Sequence, residues 1–280
     1  MGAIENNNNQ GNREGLIRNI PEMNPNEIRK ESFFTCLKQI LYPKFKFTNS
    51  IFILSVSDLI IYIITISFGI KITPTELLAP KFETLDLFGM KYPIKIYRGQ
   101  IHRLLFFAFL HANCVHLIAN LISQVILGSF FEELIGSKKA GILYILSSIF
   151  GGLFSCVMNN APGVGASVAI FGILGGIFGF TIINWEQLKN NFNFLINIFI
   201  FALIIGNAFY SLNSDIIDNY GHLGGLIYGF LFIFILVEPI TGNNASSLWF
   251  SFDSWKKYII FILCGLTFSL IFIFWIIQKH

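Results

Sequence analysis

Seven stretches of mostly apolar residues recur along the chain, near 51–70, 103–127, 140–158, 164–184, 193–212, 220–237 and 258–277. About twenty residues in helical form rise about 30 Å, the thickness of a bilayer's hydrocarbon core. In lipid each backbone polar group must be satisfied within the chain, which favours helices over open sheets. The pattern predicts an all-α polytopic membrane protein. Only 12% of the 280 residues are charged, against about 25% in soluble domains. The basic residues are scattered or flank the spans, so no nucleic-acid footprint is expected. The four cysteines, Cys36, Cys114, Cys156 and Cys264, form no C-x-x-C pair. They read as small buried residues, not as a disulfide framework or zinc site.

Residues 1–50 are polar, with asparagines from Asn6 to Asn9, and read as a cytosolic, partly disordered tail. No cleavable signal precedes the first span, which then serves as the insertion signal. A long loop at 71–102 carries Pro74, Pro80 and Pro93 and is too long for a tight turn. The Asn159–Gly163 link between the third and fourth spans demands a sharp turn. Lys and Arg near span ends set orientation. The tail carries Arg13, Arg18, Arg29, Lys30, Lys38, Lys44 and Lys46, and Lys138, Lys139, Lys189, Lys256 and Lys257 follow the second, fourth and sixth spans. This predicts a cytosolic N-terminus. The 71–102 loop is a counter-signal, with Lys71, Lys81, Lys91, Lys95 and Arg98, and Arg103 just beyond it.

Parity then sends the second, fourth and sixth spans the same way. His111 and His116 fall early in the second, Ser167 at the start of the fourth and His222 at the start of the sixth. These polar groups are expected in the outer half of the membrane, at similar depth. An ionisable group inside a membrane is costly and is a functional hypothesis by default. Ser167 with His222 is a candidate nucleophile and base, since a serine hydroxyl attacks only when a base takes its proton. On the sixth span His222, Gly225 and Gly229 fall within about 60° at 100° per residue. On the fourth, Gly172, Gly175, Gly176 and Gly179 form another smooth strip, which suits close helix contact. Two tightly packed helices with an incidental Ser and His is the competing reading. His116 and Asn120 lie four apart on one helical face and suit donors aimed at an oxyanion; an interhelical hydrogen-bond pair is the alternative. A zinc site is poorly supported, because H-E-x-x-H is absent and His111 and His116 would point about 140° apart on a helix. Asp58, inside the first span, reads as a structural polar contact.

Gly165-Ala166-Ser167 with Gly172, His222-Leu223-Gly224-Gly225 with Gly229, and His111 through His116 to Asn120 together resemble the motifs of rhomboid intramembrane serine proteases. The resemblance covers about residues 50–240. It implies the eukaryotic form, a six-helix core at 51–240 with a loop and seventh transmembrane helix at 241–280. It implies Ser167 as nucleophile and His222 as general base, a dyad without a carboxylate. His116 and Asn120, with His111 beside them, would stabilise the oxyanion together with the Ser167 N–H. Arg103 resembles the arginine that anchors the first loop, and the gate would be the fifth span with the loop after it. No metal or organic cofactor is implied.

Two positions depart from the family pattern. Val168 replaces the usual glycine after the nucleophile, with an expected effect on the pocket, and His102 replaces the usual aromatic before Arg103. The implied activity is cleavage of single-span membrane proteins in or near the outer half of their transmembrane helix, in a secretory-pathway or plasma membrane. The asparagine run and heavy Phe and Ile usage resemble a malaria-parasite chain, where such proteases cut surface adhesins; adhesins are therefore candidate substrates. A rhomboid-like protein that binds transmembrane clients without cutting them is the alternative. A transporter is weaker, with little charge to line an ion path.

Overall fold

The computed structural model describes residues 46–73, 76–191 and 218–237, and isolated positions between 258 and 276. The chain divides into units 1–43 and 44–280, and the described residues belong to the second. Helix α1 is Ser50–Ser67. An antiparallel hairpin follows, β1 at Ile70–Thr73 and β2 at Glu76–Pro80. Two short helices come next, α2 at Phe82–Leu87 and α3 at Pro93–Tyr97. A third, α4 at Arg103–Phe106, runs into a 3-10 turn at Phe107–Phe109. Helix α5, Cys114–Ile135, contains one π turn at Gln124–Gly128. The remaining helices are α6 at Ser137–Met158, α7 at Ser167–Ile183, α8 at Trp185–Leu188 and α9 at Asn219–Leu236. Among the described residues, α1, α5, α6 and α9 are long and apolar enough to cross a membrane. The architecture is an all-α polytopic membrane fold, with one small hairpin in its first loop.

Helix α1 is polar inward and apolar outward, as a lipid-facing helix requires. Ile51, Ser55, Asp58, Tyr62 and Thr65 are buried, at steps of three or four, while Ile53, Leu59, Ile60, Ile63 and Ile64 are exposed. The inward face meets a polar layer from two neighbours. Gln124 Nε2 donates to Ser55 Oγ at 3.0 Å, and Tyr144 O–H donates to Gln124 Oε1 at 2.9 Å. Asp58 is wholly buried on that face.

The second expected span, 103–127, needs correcting. It is not one helix: Leu110 turns extended, with ψ 146°, and α5 begins only at Cys114. Asn113 starts it by accepting the His116 N–H at 2.8 Å. Hydropathy cannot see this break, because both sides of it are apolar. The helix also outlasts the expected end, running to Ile135. Glu132 looks like a terminator in the sequence, but it is buried and satisfied: its Oε1 accepts from the Ile51 N–H at 3.0 Å and Ser137 Oγ at 2.9 Å. The third span starts at Ser137, earlier than the expected 140. The fourth and sixth differ from expectation by a few residues at most. The fifth, 193–212, lies outside the described residues, as do eight positions of the seventh. From the latter, the Phe268 ring lies 6.3 Å from that of Phe150, and Ile271 is buried in the core.

The long loop is built rather than open. Arg103 Nη1 donates to the Met90 carbonyl at 3.0 Å and pairs with Asp86 at 3.1 Å, while its Nε donates to Gln100 Oε1 at 2.7 Å. Lys95 also pairs with Asp86, and the Tyr97 hydroxyl donates to the Cys156 carbonyl on α6. Lys91 and Arg103 are buried. Much of the positive charge that opposed a cytosolic N-terminus is therefore consumed inside the fold.

Helices α6, α7 and α9 pack backbone to backbone. A Cβ added at Gly229 would lie 1.9 Å from the Gly172 carbonyl oxygen, one at Gly175 2.0 Å from that of Leu226, and one at Gly225 2.1 Å from that of Val168. The strips expected from the glycine spacing do face each other. Small residues let helices approach this closely in lipid, where packing and not the hydrophobic effect drives association.

Candidate active site

Three helices open at one end of the bundle, and each carries a candidate polar group in its first turn. Asn113 caps α5, placing His116 at its third residue. Asp218 caps α9 by accepting the Gly221 N–H at 2.9 Å, placing His222 at its fourth. Ser167 is the first residue of α7. At about 1.5 Å per residue none lies more than about 5 Å into its helix. Helices α5 and α6 have 22 residues each, α7 has 17 and α9 has 18. At about 25 Å, α7 is shorter than the roughly 30 Å hydrocarbon core.

Ser167 Oγ and His222 Nε2 are 2.7 Å apart, within reach for proton transfer. Ser167 is half-buried and His222 buried. The His222 imidazole stacks on Phe171 with ring centroids 4.5 Å apart and an interplanar angle of 19°. Phe171 lies one turn after Ser167, so α7 supplies both the hydroxyl and the surface that orients its partner. The i+4 spacing of Phe171 from Ser167 was the signal available in the sequence.

His116 sits against the main chain just ahead of Ser167. A Cβ at Gly165 would lie 2.8 Å from His116 Cε1, 2.9 Å from its Nε2 and 3.5 Å from Ser167 Oγ. Gly165 also has φ +130°, where other residues are strained. The Ala112 N–H donates to His116 Nδ1 at 3.4 Å. A neutral imidazole accepting at Nδ1 carries its proton on Nε2, on the Ser167 side. Helix α7 has no side-chain cap, so its first N–H groups, Ser167 among them, lack intrahelical acceptors. Such a terminus suits an anion.

Asn120 is buried one turn beyond His116, and its amide donates to the His116 carbonyl at 2.8 Å. His111 precedes α5, so the helical-wheel separation from His116 does not apply. The two rings meet edge to face, with centroids 5.4 Å apart. His111 is wholly buried and lies against His116.

Val168, expected to affect the pocket, packs between helices. It is buried, and its methyls are the atoms that Cβ groups at Gly151, Gly221 and Gly225 would meet. The side chain fills a seam among α6, α7 and α9. Lys91 was read as a loop cation only, and Asp218 was not singled out. An Asp directly before an apolar run is a helix-start signal; nothing in the sequence pairs it with Lys91.

A rhomboid-domain family model matches residues 98–239, just over half of the chain. The chain is 36% identical over 195 residues to rhomboid-like protease 1 of Toxoplasma gondii, covering 69% of this chain and 65% of that protein. It is 33% identical to rhomboid-like protease 3 of the same organism, over 69% of this chain and 71% of that one. It is 35% identical to RHOMBOID-like protein 1 of Arabidopsis thaliana, over 59% of this chain but 43% of that one. The chain thus spans less than two thirds of the length of some of these relatives. Matched by the family model from the end of the first loop through α9, and by protease-named relatives over the same bundle, this chain belongs to the rhomboid family.

Proposed function

We propose that this protein is an intramembrane serine endopeptidase that cuts single-span membrane proteins in or near the outer half of their transmembrane helix. The observation that carries this reading is the 2.7 Å contact between Ser167 Oγ and His222 Nε2 in the first turns of two apolar helices. His222 Nε2 takes the hydroxyl proton as Ser167 Oγ attacks the scissile carbonyl. The Ser167 N–H, the His116 Nε2–H and the Asn120 amide receive the developing oxyanion, and His111 holds the His116 ring. His222 returns the proton to the leaving amine, which departs and leaves an ester on Ser167. Water, deprotonated by His222, then attacks that ester and frees the acid. The chemistry needs no metal or cofactor, and it slows as His222 becomes protonated.

A scissile bond inside a stable helix is shielded, so preferred substrates carry Gly or other helix-weakening residues near the cut. Surface adhesins fit that class. The reading places the core at 51–240, the appended span at 241–280 and the N-terminus in the cytosol, in a secretory-pathway or plasma membrane.

The test compares wild type, Ser167→Ala, His222→Ala and His116→Ala in liposomes with a single-span substrate bearing Gly and Ala in its outer half. A fluorophosphonate probe reads Ser167 directly. Wild type should cut and label, and the Ser167 and His222 variants should do neither. His116→Ala should lose about 10²–10³ in kcat, the scale of one oxyanion donor. Wild type that neither cuts nor labels would return the chain to the client-binding alternative.

A further inference from the structure

Lys91 reaches both arms of the Ser167–His222 site. Its backbone pairs with the segment that leads into Ser167: the Lys91 N–H donates to the Gly163 carbonyl at 3.0 Å, and the Gly163 N–H donates back at 2.9 Å. Its side chain ends on the helix that carries His222. Lys91 Nζ donates to Asp218 Oδ2 at 2.5 Å and to Ser155 Oγ on α6 at 2.5 Å. Asp218 in turn caps α9 through Gly221, and its carbonyl accepts the His222 N–H at 2.9 Å. Ser155 closes the cluster by donating to Asp218 Oδ1.

The cluster is sealed. The Lys91 side chain is 0% exposed and that of Asp218 7%. Gly163 is moulded to it, since a Cβ there would lie 3.1 Å from Lys91 Cε and 3.2 Å from Asp218 Oδ2. A buried ammonium survives only beside its counter-charge, and removing either partner strands the other. Lys91 is thus tied four residues from the nucleophile on one side and one helical turn from the base on the other.

We propose that Lys91 and Asp218 form a positioning pair that sets the separation of Ser167 and His222. The pair touches neither substrate nor the reacting atoms; it acts through the Gly163 backbone and the α9 cap. This rests on the serine-protease reading of the site. The competing role is a plain anchor of the first loop, which would carry stability alone. The two roles separate in rate. A misplacement of about 1 Å costs up to about 10²-fold in a proximity-dependent step, whereas an anchor changes how much protein is folded and not the rate of each folded molecule.

The experiment uses the full chain in liposomes as wild type, Lys91→Met, Lys91→Arg, Asp218→Asn and the Lys91→Met/Asp218→Asn double variant. Three quantities are read: cleavage of the single-span substrate, the fluorophosphonate labelling rate per folded molecule, and amide hydrogen exchange at 163–168 and 219–223. Lys91→Met should lower kcat and labelling about 10- to 100-fold, with KM nearly unchanged, and raise exchange in both segments. Lys91→Arg should restore most of each. Asp218→Asn keeps a good cap and reports the loss of charge alone. The double variant should be no worse than Lys91→Met, as expected of two residues acting through one link. Unchanged labelling and exchange in Lys91→Met, or lower thermal stability at an unchanged rate per folded molecule, overturns the proposal. If wild type neither cuts nor labels, the protease reading fails instead, and the exchange data still decide whether Lys91 couples the two segments.

Discussion

At position 168 the side chain is buried between helices. Val168 occupies the space that glycines leave at 151, 221 and 225, so the residue beside the nucleophile serves packing. Val168→Ala should therefore cost roughly 1–3 kcal/mol of bundle stability, the scale of trimming a buried branched side chain. Substrate preference should be unchanged. Unfolding titration in detergent alongside KM on two substrates checks this; a changed preference with unchanged stability would sink it. At this scale Ser167, His222, His116 and Asn120 could be read from the sequence, because each sits in a local motif. The fit of Val168 could not, because the glycines that receive it come from two other helices.

Helices α7 and α9 carry the Ser167–His222 pair and meet main chain to main chain. A methyl at Gly229 would lie 1.9 Å from the Gly172 carbonyl oxygen. Real contacts of that kind essentially never fall below 3.0 Å, so Gly229→Ala must part the helices by about 1 Å. That displacement is enough to lower activity up to about a hundredfold even in protein that still folds. Gly265→Ala is the control, since among the described residues nothing lies within 4 Å of its added Cβ. Measured together, the first should lose probe labelling and the second should keep it; equal labelling would mean that the helix spacing does not set the site. The glycine spacing was enough to predict these strips. The start of α5 was not predictable in the same way, since it depends on one capping asparagine between two apolar runs and hydropathy averages over both.

For the whole molecule, the succession of apolar segments is enough to give the polytopic class, and the parity of α5, α7 and α9 brings their first turns to one end. The first loop is the part that the sequence hid. Its cations looked like membrane-flanking charge, yet Lys91 and Arg103 are buried and Lys95 pairs with Asp86. Lys91 finds its partner 127 residues away, and none of these pairings leaves a periodic trace. With that charge discounted, orientation is testable at two exposed positions, Lys138 in the first turn of α6 and Asn160 between α6 and α7. In a chain whose native cysteines are replaced by alanine, a cysteine at 160 should react with an impermeant maleimide on intact cells. One at 138 should react only after permeabilisation; the reverse pattern would invert the topology.

The carbonyl-to-glycine seam between α7 and α9 also bears on how such a protein can diverge. Where Gly175, Gly225 and Gly229 meet main-chain oxygens, no side chain can be added to retune the contact. A lineage descending from this chain inherits the spacing of Ser167 and His222 as a fixed quantity. New preferences among substrates have to arise by substitution at other positions, while positions 175, 225 and 229 are held at glycine whatever the protein comes to act on.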